Sequence, residues 1–378
     1  MIVIAGAGYA GAATAWSLAR RGMGSRVVLL EAETTQGRHA SGRNAGLVGP
    51  LAEEDPALQQ MALLGGRALE GMGMLRCGSV RLVRDEAAAE ALGARARALG
   101  LPVEILPTPR LARQMPVLAG ASSAWAVRCP ADGTVEPQDL LGRYLAVARD
   151  AGARLLVGAR LTGLSLRGGK VSAVETTAGR FPCEWLVNAA GAWAGELATR
   201  LSDGALTDLG LVPYRRHIFE TEVSGVDPSW PYVWDLAHDV YFRAREGGLI
   251  ACPCDEEPHP AVEPDVSAAA AEALSRKIMQ AWPALASVRL IRPRACLRTF
   301  AADRRYVIGP DPRLPGFFWV AGLGGTGAMA GPAVGEMAAD LMAAGEGQAG
   351  PWAASFRPSR LIDAGGEVRA GSTGRERG

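Results

Sequence analysis

Ile2-Val3-Ile4-Ala5-Gly6-Ala7-Gly8-Tyr9-Ala10-Gly11 opens the chain, and its reading decides the fold. Four apolar residues of strand character run straight into three spaced glycines. A helical pattern follows from Ala12 to Gly22, then a second apolar run, Val27-Val28-Leu29-Leu30, that ends in Glu31. This is strand, glycine turn, helix, strand, acid. Gly6 permits the tight turn, Gly8 lets the backbone approach a pyrophosphate, and Gly11 lets helix and strand pack closely. Tyr9 and Ala10 begin the helix, whose first N–H groups and positive dipole end face the phosphates. Glu31, followed by Ala32, sits about 20 residues past the last glycine, where a carboxylate accepts ribose hydroxyls. The full context of a dinucleotide site is present.

The 378 residues suit one large domain or two interleaved ones, and 48% apolar content allows a substantial core. A formal net charge of +1 does not favour nucleic acid as a partner. Arginine supplies nearly all the positive charge; the only lysines are Lys170 and Lys277, so few amines are available to any site. Six cysteines without framework spacing read as reduced and cytoplasmic. Cys252-Pro253-Cys254 reads as ordinary strand residues, because no second pair or histidine cluster completes a metal site. Residues 1–20 read as the first strand and helix rather than a signal peptide. No apolar run reaches membrane-spanning length, which leaves only peripheral contact with a membrane surface open.

Farther along, a polar loop runs Gly37-Arg38-His39-Ala40-Ser41-Gly42-Arg43-Asn44-Ala45-Gly46. Helices are predicted over 57–74, 85–99, 139–151 and 268–282, with a last one from Gly327 to Met342. Strands are predicted over 79–84, 154–157, 161–167, 171–176 and 181–186, then at Val288, Tyr306 and Phe317. The segment 209–255 is strand-like and aromatic. The β-rich middle argues for a second domain threaded through the first and covering the reactive end of the cofactor. The tail 363–378 has no apolar face and is predicted to be disordered.

The glycine turn with Glu31, the loop Ser41-Gly42-Arg43-Asn44, the stretch Val187-Asn188-Ala189-Ala190-Gly191-Ala192-Trp193, and Trp319-Val320-Ala321-Gly322-Leu323-Gly324-Gly325-Thr326-Gly327 occur in that order. Together they resemble the FAD-dependent D-amino-acid oxidase superfamily, whose members include glycine and sarcosine oxidases. The nearest resemblance is to D-arginine dehydrogenase, through Tyr214-Arg215-Arg216, Val240-Tyr241-Phe242 and Leu297-Arg298-Thr299-Phe300. The resemblance spans about residues 1–361. It implies a Rossmann-type, glutathione-reductase-like FAD domain (1–80, 129–208, 297–362) interleaved with a sheet-rich α+β substrate domain (81–128, 209–296). The residues agree on FAD at one point. A second glycine-rich turn some 300 residues after the first suits a flavin, whose ring lies far from its adenine.

The resemblance carries several roles. Ser41, Gly42, Arg43, Asn44, Ala45 and Gly46 cross the pyrophosphate and ring, with Arg43 the counter-charge of the diphosphate. Ala190, Gly191 and Trp193, then Gly322, Gly324, Gly325, Thr326 and Gly327, complete the flavin contacts; the last turn faces the ring edge where negative charge gathers on reduction. Arg298 matches the carboxylate-binding arginine, whose planar fork suits a bidentate grip, and Arg216 and Tyr241 match two further substrate contacts. Alternation along a strand sends Arg215 and Arg216 to opposite faces, so only one enters the site. The expected reaction is hydride transfer from the Cα of an amino acid or secondary amine acid to flavin, then hydrolysis to a 2-keto acid. The electrons pass to a quinone, a dye-like carrier or O2.

Departures limit the substrate. Leu47-Val48-Gly49-Pro50-Leu51 is apolar, and Glu53 and Glu54 stand out of register with the acid that would hold a cationic side chain. Arginine is therefore not predicted as the substrate; a small or apolar amino acid, or a secondary amine acid such as proline or sarcosine, is as good a candidate. Cys296 aligns with a cysteine that carries flavin covalently in a relative, but non-covalent FAD is favoured. The position of an oxygen-activating lysine holds Ile250, which leans toward a dehydrogenase. Two rival readings stand: a 2-hydroxy-acid dehydrogenase of the same fold, with His217 or His238 as base, and a non-catalytic flavin-binding subunit.

Overall fold

The computed structural model describes residues 1–202, 206–343, 350–363 and 366–369. Val3, Ile4 and their neighbours are buried on both sides, as strands in the middle of a covered parallel sheet are. The sheet they centre has six strands, in the order Val307–Pro310, Phe317–Ala321, Trp185–Asn188, Ile2–Ala5, Val27–Leu30, Arg154–Leu156. All pairings are parallel except Val307–Pro310 against Phe317–Ala321. The helices Tyr9–Arg20, Pro56–Glu70, Pro137–Asp150 and Gly327–Ala343 bury their apolar residues in one core with this sheet. The other face packs with a three-stranded antiparallel sheet (Leu161–Arg167, Lys170–Thr176, Gly179–Pro182) and the helix Ala194–Leu201. This is the doubly covered, Rossmann-type arrangement.

The helix Tyr9–Arg20 is buried almost all round, and its small residues make that possible. A Cβ at Gly11 would strike the Gly6 carbonyl oxygen, so helix and turn meet backbone to backbone. Gly6 itself has φ +106, a conformation an L side chain resists.

A second sheet has nine strands, drawn from residues 79–129 and 212–300. Its core packs under the helix Ala268–Ala281, around Phe242 and Trp282. Two segments differ from their reading in the sequence. The run 181–186 splits into Gly179–Pro182 and Trp185–Asn188, which belong to different sheets. Residues 297–300 do not leave for the first sheet; they end the strand Arg289–Phe300, which pairs along most of its length with Val212–Glu222. Apolar composition marks a strand but not which sheet receives it.

In the tail expected to lack structure, residues 364–365 and 370–378 lie outside those described. Val368, however, bridges Ile362, and the Arg369 N–H donates to the Leu361 carbonyl at 2.9 Å. Backbone pairing and the packing of Val368 against the core beside Leu361 and Ile362 hold this stretch.

Candidate active site

Between the two sheets runs a long cavity of about 700 Å³. It begins at Glu31 and Ala32, passes the Gly6–Ala10 turn and the loop 37–46, and ends under Gly322–Met329 against the second sheet. Of the residues singled out in the sequence for cofactor or substrate, all line it except Gly11 and Gly42. Gly11 has the packing role its spacing gave it, against Gly6, and Gly42 is a correction: a Cβ there would strike the Gly37 carbonyl.

At the first end, backbone donors dominate. Glu31 accepts the N–H of Ala7 at 3.1 Å and of Glu33 at 2.9 Å, which fixes its carboxylate beside the turn. The helix starts at Tyr9 with no side-chain cap, so first-turn N–H groups lack intrahelical acceptors and suit an anion. The loop 37–46 is less open than its composition suggests. Residues Ala40–Arg43 form one helical turn. Ser41 Oγ accepts the Tyr9 N–H at 2.9 Å, and Asn44 donates to Ala40 and Ser41 carbonyls while accepting the Gly46 N–H. Arg43 is not left as a free counter-charge. Its guanidinium pairs with Glu263 at 2.6 Å and donates to the Ala295 carbonyl. His39 joins the same cluster, 3.2 Å from both Glu33 and Glu263 and packed on Trp193.

The other end is made by side chains from the second sheet. Arg216 lies directly opposite Cys296, and Tyr214 opposite Arg298, in the antiparallel pair. Alternation therefore sets Arg216, Ile218, Cys296, Arg298 and Phe300 on one face, which lines the cavity. Arg215 faces the other way and pairs with Glu257 at 2.6 Å. The next strands add Trp234 and Tyr241, opposite one another with rings 5.4 Å apart.

Arg298 rests on the second glycine turn: a Cβ at Gly325 would lie 2.6 Å from its Cζ. Its guanidinium makes no hydrogen bond or ion pair among the described residues. Two further donors at this end, Arg216 Nε and Trp234 Nε1, are buried without a hydrogen-bond partner. Buried donors left open in this way await an acceptor. Glu256 pairs with Arg216 at 3.4 Å and with Arg304 at 2.8 Å, and Arg304 lies 3.8 Å above the Phe300 ring.

Several residues at this end were not assigned a role from the sequence. Glu53, read as out of register, lines the cavity; burial pushes its carboxyl up, against the pull of Arg298 and Arg304. Glu54 instead faces Arg95 at the surface. Trp234, Tyr232 and Glu256 were missed; the only signal was an aromatic-rich strand segment, which core packing explains equally well. Burial pushes the Cys296 thiol up, away from the thiolate a covalent flavin link requires. Ile250 is buried in a small cluster with Tyr241 and does not line the cavity. Lys277 does not line the cavity; its ammonium is bound to the carbonyls of Asp239 and Pro253. Neither His217 nor His238 lines the cavity. His217 hydrogen-bonds Asp255 through Nδ1 at 2.6 Å and accepts the Ser267 N–H on Nε2, so both nitrogens are engaged. No group of side chains able to hold a metal occurs among the described residues. No helix among them is long and apolar enough to cross a membrane.

The chain is similar to known proteins over most of its length. Glycine oxidase of Geobacillus kaustophilus is 27% identical over 90% of this chain and 92% of its own length. The hydrogen cyanide synthase subunit HcnC of Pseudomonas aeruginosa is 28% identical over 85% of this chain and 87% of its own. The mouse mitochondrial pyruvate dehydrogenase phosphatase regulatory subunit is 24% identical over 93% of this chain, which spans only 42% of that protein. Among solved structures, L-proline dehydrogenase from P. horikoshii superposes with a TM-score of 0.84 at 22% identity, covering 97% of this chain and 98% of that one. The model of the FAD dependent oxidoreductase (DAO) family matches residues 1–341, and the chain belongs to that family.

Proposed function

We propose that this chain oxidises an amino acid or secondary amine acid to its imine, which water hydrolyses to a 2-keto acid. FAD is the cofactor of the family, and the cavity fits it. The Gly6–Gly8 turn and Glu31 would hold the ADP half, and the 41–46 loop with Gly324–Gly327 would hold the ring. Bound there, FAD would supply the acceptor for a hydride from the substrate Cα.

The observation that carries the reading is the set of uncommitted donors beside the second glycine turn. Among the described residues Arg298 has no hydrogen-bond or ion-pair partner, and Arg216 Nε and Trp234 Nε1 have no hydrogen-bond partner. Such a set suits an acceptor-rich ligand, and the Arg298 fork suits a carboxylate. Held by that group, the substrate presents its Cα in one orientation, which is most of what the protein must supply. Ile218 and Phe300 limit water around it. Glu53, across from Arg298, is placed to accept hydrogen bonds from the substrate amine or from a basic side chain.

The hydroxy-acid reading is less well supported, because an alcohol needs a base and both ring nitrogens of His217 are engaged outside the cavity. Among the described residues no lysine lines the cavity, which favours a quinone or carrier over O2 as electron acceptor. Anaerobic bleaching of the bound flavin tests the reading, with sarcosine, proline, glycine, arginine, 2-hydroxyglutarate and glycerol 3-phosphate. The expected result is bleaching by at least one amine acid and by neither alcohol. Bleaching by an alcohol alone would replace the reading with the hydroxy-acid one, and no bleaching at all with the non-catalytic subunit.

A further inference from the structure

The Cys252-Pro253-Cys254 segment stands behind the substrate end of the cavity rather than in an ordinary strand. Cys252 ends the strand Gly248–Cys252, opposite Tyr241. Its sulfur accepts the Cys254 N–H at 3.3 Å and lies 3.9 Å from Arg216 Nη1. Cys254 itself adopts φ +53, in the left-handed region. Lys277 holds the turn from behind, donating to the Pro253 carbonyl at 2.6 Å and the Asp239 carbonyl at 2.9 Å. Both cysteines and Arg216 are buried.

A sulfur with a guanidinium and an amide N–H aimed at it has two donors and no acceptor facing it from these groups. We propose that Cys252 is a thiolate, the buried counter-ion of Arg216, and that it sets the charge of the substrate end so that one carboxylate is accepted there. The charges then balance in pairs. Glu256 and Cys252 together offset Arg304 and Arg216; Glu53, whose carboxyl burial pushes up toward the neutral form, leaves Arg298 as the cation without an ion pair at this end among the described residues. The groups facing Cys252 are Arg216 from Val212–Glu222, Arg298 and Cys296 from Arg289–Phe300, Tyr241 from Val240–Arg245, and Cys254 from its own loop. Burial opposes the charge, but the Cys254 contacts and the two arginines outweigh it and hold Cys252 below the ordinary thiol range. Cys254 and Cys296 are pushed the other way and stay protonated. Cys252 acts through Arg216 and is a positioning residue. The charge assignment itself does not depend on which donor the enzyme oxidises; only its consequence for ligands rests on the amine-acid reading.

The ultraviolet thiolate band of the holoenzyme, titrated downward from about pH 8, tests this directly. The wild type is expected to show one thiolate that protonates below the ordinary thiol range, a step absent from Cys252→Ser. In Cys254→Ala, which removes the side-chain donor, the step is expected to move upward. Calorimetry of acetate and malonate binding at about pH 8 reads the consequence. Cys252→Ser should raise the malonate-to-acetate affinity ratio about tenfold, because Arg216 loses a counter-charge. A wild type with no thiolate below the ordinary range overturns the proposal without recourse to any variant. So does a Cys252→Ser protein that titrates like the wild type. An unchanged malonate-to-acetate ratio overturns the specificity role.

Discussion

The two ends of the cavity are built on opposite principles. At the Gly6–Glu31 end the functional groups are backbone N–H groups and one carboxylate, all within about 30 residues of chain, and Glu31 is already held by Ala7 and Glu33. At the Arg298 end the groups are side chains from strands far apart in sequence, and key donors have no protein partner. The first end is shaped to hold something permanently. The second is kept electrostatically unfinished, which is what a site for an exchanging substrate needs.

This difference predicts how each end fails. Arg298→Met should lower kcat/KM for the amine acid by about 10²- to 10⁴-fold, the worth of two charge-assisted hydrogen bonds, while FAD stays bound. Steady-state kinetics with a flavin content assay check both halves; loss of FAD would mean that Arg298 serves the cofactor instead. The buried Arg81–Asp132 pair, 3.3 Å apart and joined by Ser79, belongs to neither end. Asp132→Ala should cost about 3–5 kcal/mol by denaturant unfolding, because it strands a buried guanidinium. Glu31→Ala should weaken FAD binding about tenfold or more with kcat of the FAD-saturated enzyme unchanged. A fall in kcat at saturation would erase the division between the two ends.

The smallest effect is expected at Asp55, which caps the helix Pro56–Glu70 through Ala57 and Leu58 and pairs with Arg305 at 2.7 Å. Asp55→Ala should cost about 1 kcal/mol. Burial opposes the Asp55 charge, but Arg305 and the two amides win and lower its pKa. Its contribution is therefore present above the unfolded-state pKa and lost as pH falls through the folded one. The stability gap between wild type and Asp55→Ala should close in acid; a gap that stays constant would mean that the carboxylate charge plays no part.

The same contrast explains what could be read from the chain beforehand. The strand, turn, helix and acid of residues 2–31 are local, so spacing alone displays them. The family pattern placed Arg298, Arg216 and Tyr241, and strand alternation separated Arg215 from Arg216. Nothing local shows that Glu53 reaches the cavity, because its position depends on how the turn 50–55 packs against the second sheet. Nor does composition show that Arg43 is taken by Glu263, about 220 residues away. The Cys-Pro-Cys segment looked inert for the same reason: its meaning comes from Arg216, on the neighbouring strand of the sheet but 36 residues away in sequence.

The central claim is that the unfinished end recognises a carboxylate next to an oxidisable amine. The most direct test is rapid anaerobic mixing of the FAD-loaded enzyme with a reactive amine acid and, separately, with its carboxamide. The account predicts fast flavin bleaching by the acid, bleaching by the amide slower by about 10²-fold or more, and loss of that discrimination in Arg298→Met. Equal rates with acid and amide in the wild type would contradict it.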